Sequence, residues 1–321
     1  MKSIVIFTGM NIKVGKNTGN RESCFPISRL PDLRTFHYVC RLILILMSSK
    51  KVLKELNAAV KFLQKQYKHT PQVGVVLGSG LSNFTDEIEI EKEVAYKDIP
   101  NFPVSTVEGH KSKMIFGKLS GKRVVAMAGR FHFYEGYDIR DVVFPIRVLK
   151  LLGVETLLLS NAAGSVNPSY KVGDLMIIND HISLFTPNPL IGKNVDEFGP
   201  RFPDMSEPYK RRLIQIARDI ASQNNYDIKE GVYVAVTGPT FETKAEYKMI
   251  LTLGADVVGM STVQEAIVAN HMGLEVFAMS VVTDIGIRDD HAIITHEEVL
   301  EAARHAEPKL AFIFKELIAA I

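Results

Sequence analysis

The chain has 321 residues, 46% of them hydrophobic and 23% charged, which is enough to bury one large core or two modest ones. The formal net charge is +2, but residues 1–46 carry seven Lys or Arg against two Asp or Glu and the remainder carries 31 against 34, a balance that gives no reason to expect nucleic acid or a membrane surface as a partner. Both cysteines, Cys24 and Cys40, lie in residues 1–46, so the rest of the chain has no thiol for a disulfide or a thiolate metal site, as suits a reducing compartment.

Residues 1–46 differ from the rest of the chain. They show no sustained helical or strand period, and their aliphatic run LILILM is far shorter than the roughly 20 residues that cross a bilayer. A helix is predicted to begin at Ser48 or Ser49. We therefore expect 1–46 to be an extension, either disordered, a targeting peptide or sequence upstream of a true start at Met47, before one domain over 47–321.

From residue 73 onward, short β-rich runs alternate with amphipathic helices. Strands are predicted at 73–77, 113–119, 123–128, 156–160, 175–178, 232–236 and 274–283, and helices near 140–152, 207–223, 243–252 and 263–271. A capping box, Thr295-His296-Glu297-Glu298, opens a last helix that runs towards Ile321, with a kink expected at Pro308. The pattern predicts the α/β class: a single domain with a mixed, largely parallel central sheet flanked by helices.

The stretch VVLGSGLSNF runs a strand into the turn Gly78-Ser79-Gly80. It lacks the G-x-x-x-x-G-K-[ST] pattern of a nucleoside triphosphate loop, and Asn83 stands where the dinucleotide pattern needs its third glycine. Leu77 precedes Gly78, so the turn is not a G-x-S-x-G nucleophile elbow either. Two interpretations remain equally open from this stretch, a small anion nest that includes the Ser79 hydroxyl and an ordinary tight turn.

Anion-binding side chains follow other strands. His110 comes just ahead of the strand at 113–119, and Arg130, His132 and Tyr134 follow the strand at 123–128. In an open α/β sheet, ligand-binding groups collect at the carboxyl ends of the strands. Arg130 can fork onto an oxyanion and His110 can donate to the same group, which favours the anion-nest interpretation.

Three more loops carry candidate groups. The small residues of SNAAGSVNP, at 160–168, permit close backbone approach, and Ser261 at a helix start can join a phosphate site. Phe241 beside Glu242 suits a purine, with the ring packing on the base and the carboxylate accepting its N–H groups. Taken alone, this dipeptide is better explained by a Phe241 in the core and a Glu242 in the first turn of a solvated helix.

Together these segments resemble the purine nucleoside phosphorylases of the trimeric class. The resemblance runs from about residue 50 to the C-terminus and is carried by motifs such as VVLGSGL, AMAGRFHFYEGY, SNAAGSVNP, FGPRFPDMSEPY, VTGPTFETKAEY and LGADVVGMSTVQEAIVANHMGL. It implies an enzyme of purine salvage in which inorganic phosphate attacks the anomeric carbon of a purine ribonucleoside or 2′-deoxyribonucleoside. The products are the free base and pentose 1-phosphate, and neither a metal nor a cofactor takes part.

The resemblance also implies site residues, a homotrimer and a cytoplasmic location. Phosphate is expected at Ser79, His110, Arg130, Ser261 and the backbone of Ala162; the ribose at His132, Tyr134, Met260 and His296; and the base at Asn161, Phe241, Glu242, Thr283 and Asp284. Asp284, Glu242 and His110 are the expected catalytic residues. Phe202 matches an aromatic residue that a neighbouring subunit inserts over the ribose.

The base site departs from the family pattern at Asp284. Enzymes of this family that cleave 6-oxopurine nucleosides usually have Asn there, whereas relatives that cleave adenine nucleosides or methylthioadenosine carry Asp. An Asn amide donates to N7 or O6, whereas a carboxyl does so only when protonated and otherwise accepts from a 6-amino group. Glu242 nevertheless favours the N1–H of hypoxanthine or guanine, so we expect cleavage of inosine and guanosine with broadened acceptance of adenosine. The segment 285–294 matches poorly and is expected to form a lid.

Other functions are weighed against specific residues. Methylthioadenosine phosphorolysis is favoured by Asp284 but disfavoured by Glu242 and by His296 as a partner for a 5′-hydroxyl. A non-catalytic nucleoside-binding protein on the same fold would be expected to have lost Arg130, His110 or Glu242. A hydrolase would use water in place of phosphate, and no acidic calcium cluster or H-E-x-x-H spacing supports a metal site.

Overall fold

The structure is a computed structural model that describes residues 51–104, 111–287 and 295–321 in full, and the backbone of 3–8, 11–16 and 24–26. The chain divides into two units, Met1–Leu53 and Lys54–Ile321. His110 and most of the expected lid at 285–294 fall outside the described residues.

The first unit contains a three-stranded antiparallel sheet. Its strands are β1 (Ser3–Thr8), β2 (Asn11–Lys16) and β3 (Cys24–Pro26), in the order β1-β2-β3. No folded element is predicted here from the sequence, because residues 1–46 show no sustained helical or strand period. The apolar, β-branched residues of β1 nevertheless have strand propensity. The start at Met47 stays a prediction.

The second unit is built on a nine-stranded mixed sheet. The strands are β4 (Val73–Val76), β5 (Glu89–Ala95), β6 (Lys113–Leu119), β7 (Lys122–Ala128), β8 (Thr156–Ser165), β9 (Leu175–Ile182), β10 (Ile228–Ala235), β11 (Val257–Gly259) and β12 (Glu275–Ile285), in the order β11-β10-β9-β12-β8-β4-β7-β6-β5. Parallel pairs join β4 to β7 and β8, β8 to β12, and β10 to β9 and β11. The predicted mixed α/β architecture is confirmed.

Helices connect and cover these strands. They are α1 (51–66), α2 (Ile139–Val142), α3 (Phe144–Leu152), α4 (Arg211–Gln223), α5 (Lys244–Thr252), α6 (Val263–His271) and α7 (His296–Ala320). Three short 3₁₀ helices span Ser82–Glu87, Tyr96–Asp98 and Phe133–Glu135. The predicted capping box opens α7, where the Thr295 hydroxyl accepts from the backbone N–H of Glu298 at 3.3 Å. Over the described ranges, no helix combines the length and apolar character that a bilayer crossing requires.

One feature of the sheet shapes the site. Besides its parallel pairing with β10, β11 pairs antiparallel with β8 through Val257–Ser165 and Val258–Gly164. This pairing closes β8, β12, β9, β10 and β11 into a ring of five strands. Val258 of β11 and Asp284 of β12 both pair with Gly164 of β8, so the last residues of these three strands lie side by side. On the other side of β8, β4 and β7 continue the sheet in parallel.

Candidate active site

A pocket lies at these strand ends. It is lined by nearly all of the predicted site residues, namely Ser79, Arg130, His132, Tyr134, Asn161, Ala162, Phe241, Glu242, Met260, Ser261, Thr283, Asp284 and His296. Each of these residues lies in the second half of a strand or in the segment that follows a strand, except His296, which begins α7. The rule that ligand groups collect at strand carboxyl ends therefore places the pocket correctly.

The glycine turn forms one wall of the pocket. Gly78 and Ser79 line it directly after β4. The backbone N–H of Gly78 donates to the Ser160 hydroxyl at 3.2 Å, and the N–H of Leu81 closes the turn on the Gly78 carbonyl at 3.2 Å. The turn is thereby fixed to β8 on one side while the Ser79 side faces the pocket.

Arg130 supplies the positive charge at this end of the pocket. Its side chain is 1% exposed, and it pairs with Glu265 of α6, with Nη2 2.9 Å from Oε2 and Nε 3.1 Å from Oε1. Nη1 donates to the Ser160 carbonyl at 2.5 Å and to the Ser261 hydroxyl at 3.4 Å. Glu265 thus holds the guanidinium in one orientation, as a planar fork requires for oxyanion recognition.

A strained turn presents Ser261. Thr262 has φ +69° and ψ −53°, and the N–H of Val263 donates to the Ser261 carbonyl at 2.7 Å, the geometry of a γ-turn with positive φ. Such a conformation in a β-branched residue costs of order 1–3 kcal/mol and persists only where its surroundings enforce it. Here the Thr262 hydroxyl accepts from Nδ2 of Asn161 at 2.9 Å, which joins the turn to β8.

Asn161 lies in β8 and also lines the pocket. Its side chain is buried, and its Oδ1 accepts no hydrogen bond from the described residues. A buried amide oxygen without a partner costs about 1–3 kcal/mol.

Two carboxylates, Glu242 and Asp284, also line the pocket, together with Phe241, which is 44% exposed. Burial raises the pKa of Glu242, and the negative charge of Asp284 raises it further. Asp284 is 9% exposed, and its Oδ1 accepts from the Thr283 hydroxyl at 3.0 Å. Its Oδ2 lies over Gly164, where an added Cβ would come within 2.7 Å of it, so a larger residue there would require the Asp284 carboxyl group to move.

His132 and Tyr134 form a stacked pair at the mouth, with ring centroids 4.7 Å apart and planes at 15°. Nδ1 of His132 lies 3.2 Å from Oε1 of Glu135. Burial lowers the pKa of His132, so the imidazole is neutral at neutral pH. Burial raises the pKa of Tyr134 to about 12, which keeps its hydroxyl protonated.

Comparisons with known proteins agree with this geometry. The model of the phosphorylase superfamily matches residues 72–319. A purine nucleoside phosphorylase 1 from Geobacillus stearothermophilus is 50% identical over 82% of this chain and 96% of its own, and the Rattus norvegicus purine nucleoside phosphorylase is 45% identical over 82% and 94%. The chain belongs to the purine nucleoside phosphorylases.

Solved structures give the same result. The Schistosoma mansoni purine nucleoside phosphorylase in complex with adenosine superposes with a TM-score of 0.80 at 42% identity, covering 84% of this chain and 97% of that one. A schistosoma purine nucleoside phosphorylase in complex with hypoxanthine superposes with a TM-score of 0.79 at 41% identity, with the same coverage. The chain is therefore an enzyme, a pentosyltransferase that cleaves purine nucleosides by phosphorolysis.

Two predicted residues of the phosphorylase site are not in the pocket lining. His110 lies outside the described residues. Phe202 is 86% exposed and lies away from the pocket, with the Arg201 guanidinium 5.4 Å from its ring centroid. The donation of Phe202 to a neighbouring subunit stays a prediction.

Sequence reasoning missed the residues that hold the phosphorylase site in place. Glu265, Ser160 and Thr262 orient Arg130, the glycine turn and Asn161, yet none was singled out. Glu265 had a readable signal, since it is a charged residue in the otherwise apolar segment VQEAIVA. Within the described ranges no group of three His, Cys, Asp or Glu side chains is arranged to hold a metal ion.

Proposed function

We propose that this phosphorylase accepts both 6-oxopurine and 6-aminopurine nucleosides. The observation that carries the proposal is the pair of carboxyl groups, Glu242 and Asp284, at one end of a single pocket. Burial is the main cause that raises the pKa of Glu242, and the charge of Asp284 adds to it, so the two carboxyl groups interact electrostatically.

The two base classes differ in what they offer to such a pair. An adenine presents N7 as an acceptor and N6 as a donor, whereas hypoxanthine and guanine present N7 and O6, both acceptors. A neutral carboxyl at Asp284 offers one donor and one acceptor. It matches adenine at both N7 and N6, but it matches a 6-oxopurine at only one of the two acceptors, N7 and O6. Ionised Glu242 accepts the N1–H of a 6-oxopurine, and protonated Glu242 donates to N1 of adenine.

The proposed reaction begins at the other end of the pocket. Phosphate is held by Ser79, Arg130, Ser261 and the Ala162 backbone, together with His110, and attacks C1′ of the sugar. The bond to N9 breaks through an oxocarbenium-like transition state, similar in kind to glycoside cleavage. The phosphate dianion stabilises the sugar cation, and a proton donated by Asp284 to N7 stabilises the departing base. No cofactor is proposed, because phosphate is itself the nucleophile.

The sugar is proposed to lie between these two ends. Met260 and Tyr134 line its faces, and His296 reaches the 5′-hydroxyl from the first residue of α7. His132, neutral and buried beside Tyr134, is the second hydroxyl partner.

Initial rates test this proposal. With phosphate in excess, inosine, guanosine and adenosine are each expected to release their base at rates within about tenfold of one another, because the carboxyl pair differs between the two base classes by about one hydrogen bond. Methylthioadenosine is expected to be slower, since it lacks the hydroxyl that His296 would bind. Release from inosine and guanosine alone would contradict the broad base range.

We also propose a homotrimer in which Phe202 of each subunit covers a neighbour's ribose. The support is the exposure of Phe202, Leu184 and Ile191, each of which is more than three-quarters exposed, because large exposed apolar side chains can be covered at an interface. Sedimentation should give three subunits, and Phe202→Ala should raise the KM for nucleoside without lowering Tm. A monomer of full activity would contradict the proposal. A cytoplasmic location stays a prediction from cysteine usage.

A further inference from the structure

One face of α7 lines the pocket and continues beyond it. His296 and Val299 line the pocket. One turn further, Ala303 and the Leu300 carbonyl press on the glycine turn, where a Cβ at Gly80 would lie 2.7 Å from the Ala303 Cβ and 3.2 Å from the Leu300 oxygen. Residues three or four apart lie on one face of a helix, so the next residue of this row is Glu307.

Glu307 is a buried carboxylate that binds the segment after the glycine turn. It is 3% exposed. Its Oε1 accepts from the backbone N–H of Asn83 at 2.6 Å and of Phe84 at 3.1 Å, and its Oε2 accepts from Nδ2 of Asn83 at 2.9 Å. These backbone donors belong to the first turn of the 3₁₀ helix Ser82–Glu87.

This 3₁₀ helix has no cap of its own. Its N-cap residue, Leu81, forms no side-chain capping hydrogen bond. A carboxylate at a helix N-terminus satisfies the unpaired N–H groups and complements the positive end of the helix dipole. Glu307 therefore supplies, from a site 224 residues away in sequence, the cap that the local sequence lacks.

A cation binds the same 3₁₀ helix from another side. Nζ of Lys111 donates to the Ser82 carbonyl at 3.2 Å and to the Thr85 hydroxyl at 3.1 Å. Lys111 follows His110 in the sequence and comes just before β6. The helix thus connects three parts of the chain that carry predicted phosphate or ribose groups: the glycine turn, the segment after His110, and α7.

We propose that Glu307 is a positioning residue for phosphate, whose carboxylate holds the glycine turn, and with it Ser79, in the geometry that phosphate binding requires. The turn spans only a few residues between β4, which the sheet fixes, and the 3₁₀ helix, which Glu307 fixes. This inference rests on the proposed role of the turn in phosphate binding.

Loss of this anchor should affect one substrate more than the other. A loosened turn must be ordered again each time phosphate binds, which lowers phosphate affinity. The base-recognising residues Phe241, Glu242 and Asp284 lie on other elements and do not contact Glu307. The expected signature is therefore a rise in the KM for phosphate with little change in the KM for inosine.

The test compares Glu307→Gln with a matched control that acts on the same two elements. Glu87, in the same 3₁₀ helix, pairs with Lys315 of α7 at 2.7 Å, but this pair is exposed. Glu87→Gln therefore removes a surface contact between the 3₁₀ helix and α7 and should leave both KM values unchanged. Glu307→Gln should raise the KM for phosphate about tenfold and the KM for inosine less than about twofold.

A second variant keeps the test decisive if Glu307→Gln does not fold. Asn83 is exposed, and Asn83→Asp sets a carboxylate against Oε2 of Glu307 in place of its donor. This variant should also raise the KM for phosphate selectively. Equal KM changes for both substrates, or none, in the folded variant would overturn the inference.

Ser79→Ala tests separately the proposal on which this inference rests, that the glycine turn binds phosphate. If Ser79→Ala raises the KM for phosphate and the Glu307 and Asn83 variants do not, the positioning role alone is wrong. If Ser79→Ala has no effect either, the turn does not bind phosphate and the proposed assignment fails with it.

Discussion

Asp284→Asn should convert the enzyme towards 6-oxopurine nucleosides. The Asn side chain can keep its oxygen where Oδ1 accepts from the Thr283 hydroxyl, which places its amide nitrogen where Oδ2 now lies, above Gly164. The site then presents two donors to the base edge in place of one donor and one acceptor. Hypoxanthine gains a hydrogen bond at O6, while the adenine amino group meets another donor.

The size of the change follows from the burial of this residue. Asp284 is 9% exposed, so water cannot readily replace a lost partner. An unsatisfied buried donor costs about 1–3 kcal/mol and a new neutral hydrogen bond contributes about 0.5–1.5 kcal/mol. Since 1.36 kcal/mol is tenfold in rate, the ratio of kcat/KM for inosine to that for adenosine should rise by about 10- to 2000-fold.

The assay is the initial rate of base release at saturating phosphate, with both nucleosides and each variant. Asp284→Ala is the companion variant, because it removes the donor and the acceptor together. The kcat/KM values for both nucleosides should therefore fall, and the ratio between them should change less than in Asp284→Asn. An unchanged ratio in Asp284→Asn would refute the assignment of Asp284 to the base edge.

Three further predictions concern the same pocket. Because burial raises the pKa of Glu242 above its ordinary value, its ionised form is lost at a higher pH as the solution is acidified. The kcat/KM for inosine should therefore fall at a higher pH than the kcat/KM for adenosine. A ratio of the two kcat/KM values that stays constant across the pH profile would contradict this. Gly164→Ala should displace the Asp284 carboxyl group and lower the steady-state kcat/KM for adenosine more than about tenfold. An unchanged kcat/KM would show that the site tolerates a Cβ at this position. Thr262→Val leaves the Asn161 amide without its acceptor and should lower the free energy of unfolding, measured in urea, by about 1–3 kcal/mol. Thr262→Ser keeps the hydroxyl and should retain most of the wild-type free energy of unfolding. Equal losses in the two variants would count against the hydrogen bond.

The secondary-structure elements with a clear local hydrophobic or capping pattern could be predicted from the sequence. Hydrophobic runs predicted β6 over its full range, and the capping box predicted the start of α7. The edge strand β5 was missed because only one of its residues, Val94, is buried, which leaves a charged run with little hydrophobic pattern. Strand ends were also placed too early in β8 and β12, whose last residues turn polar where they enter the pocket.

The site could be predicted only in part for a related reason. Residues that contact ligand follow strand ends and belong to motifs of a known family, so pattern and resemblance both found them. The residues that hold them in place act across long sequence separations, as in the pairs Arg130–Glu265 and Asn83–Glu307. No local pattern connects such residues, because the fold alone brings them together.

The most direct test of the central claim is base release from inosine by the full-length chain, with phosphate present and with phosphate omitted. We expect release only when phosphate is present, with one ribose 1-phosphate formed for each hypoxanthine. Arg130→Ala should abolish this phosphate-dependent release. Release at the same rate without phosphate would mean that water is the nucleophile and that the anion site formed by the glycine turn, Arg130 and Ser261 has another purpose.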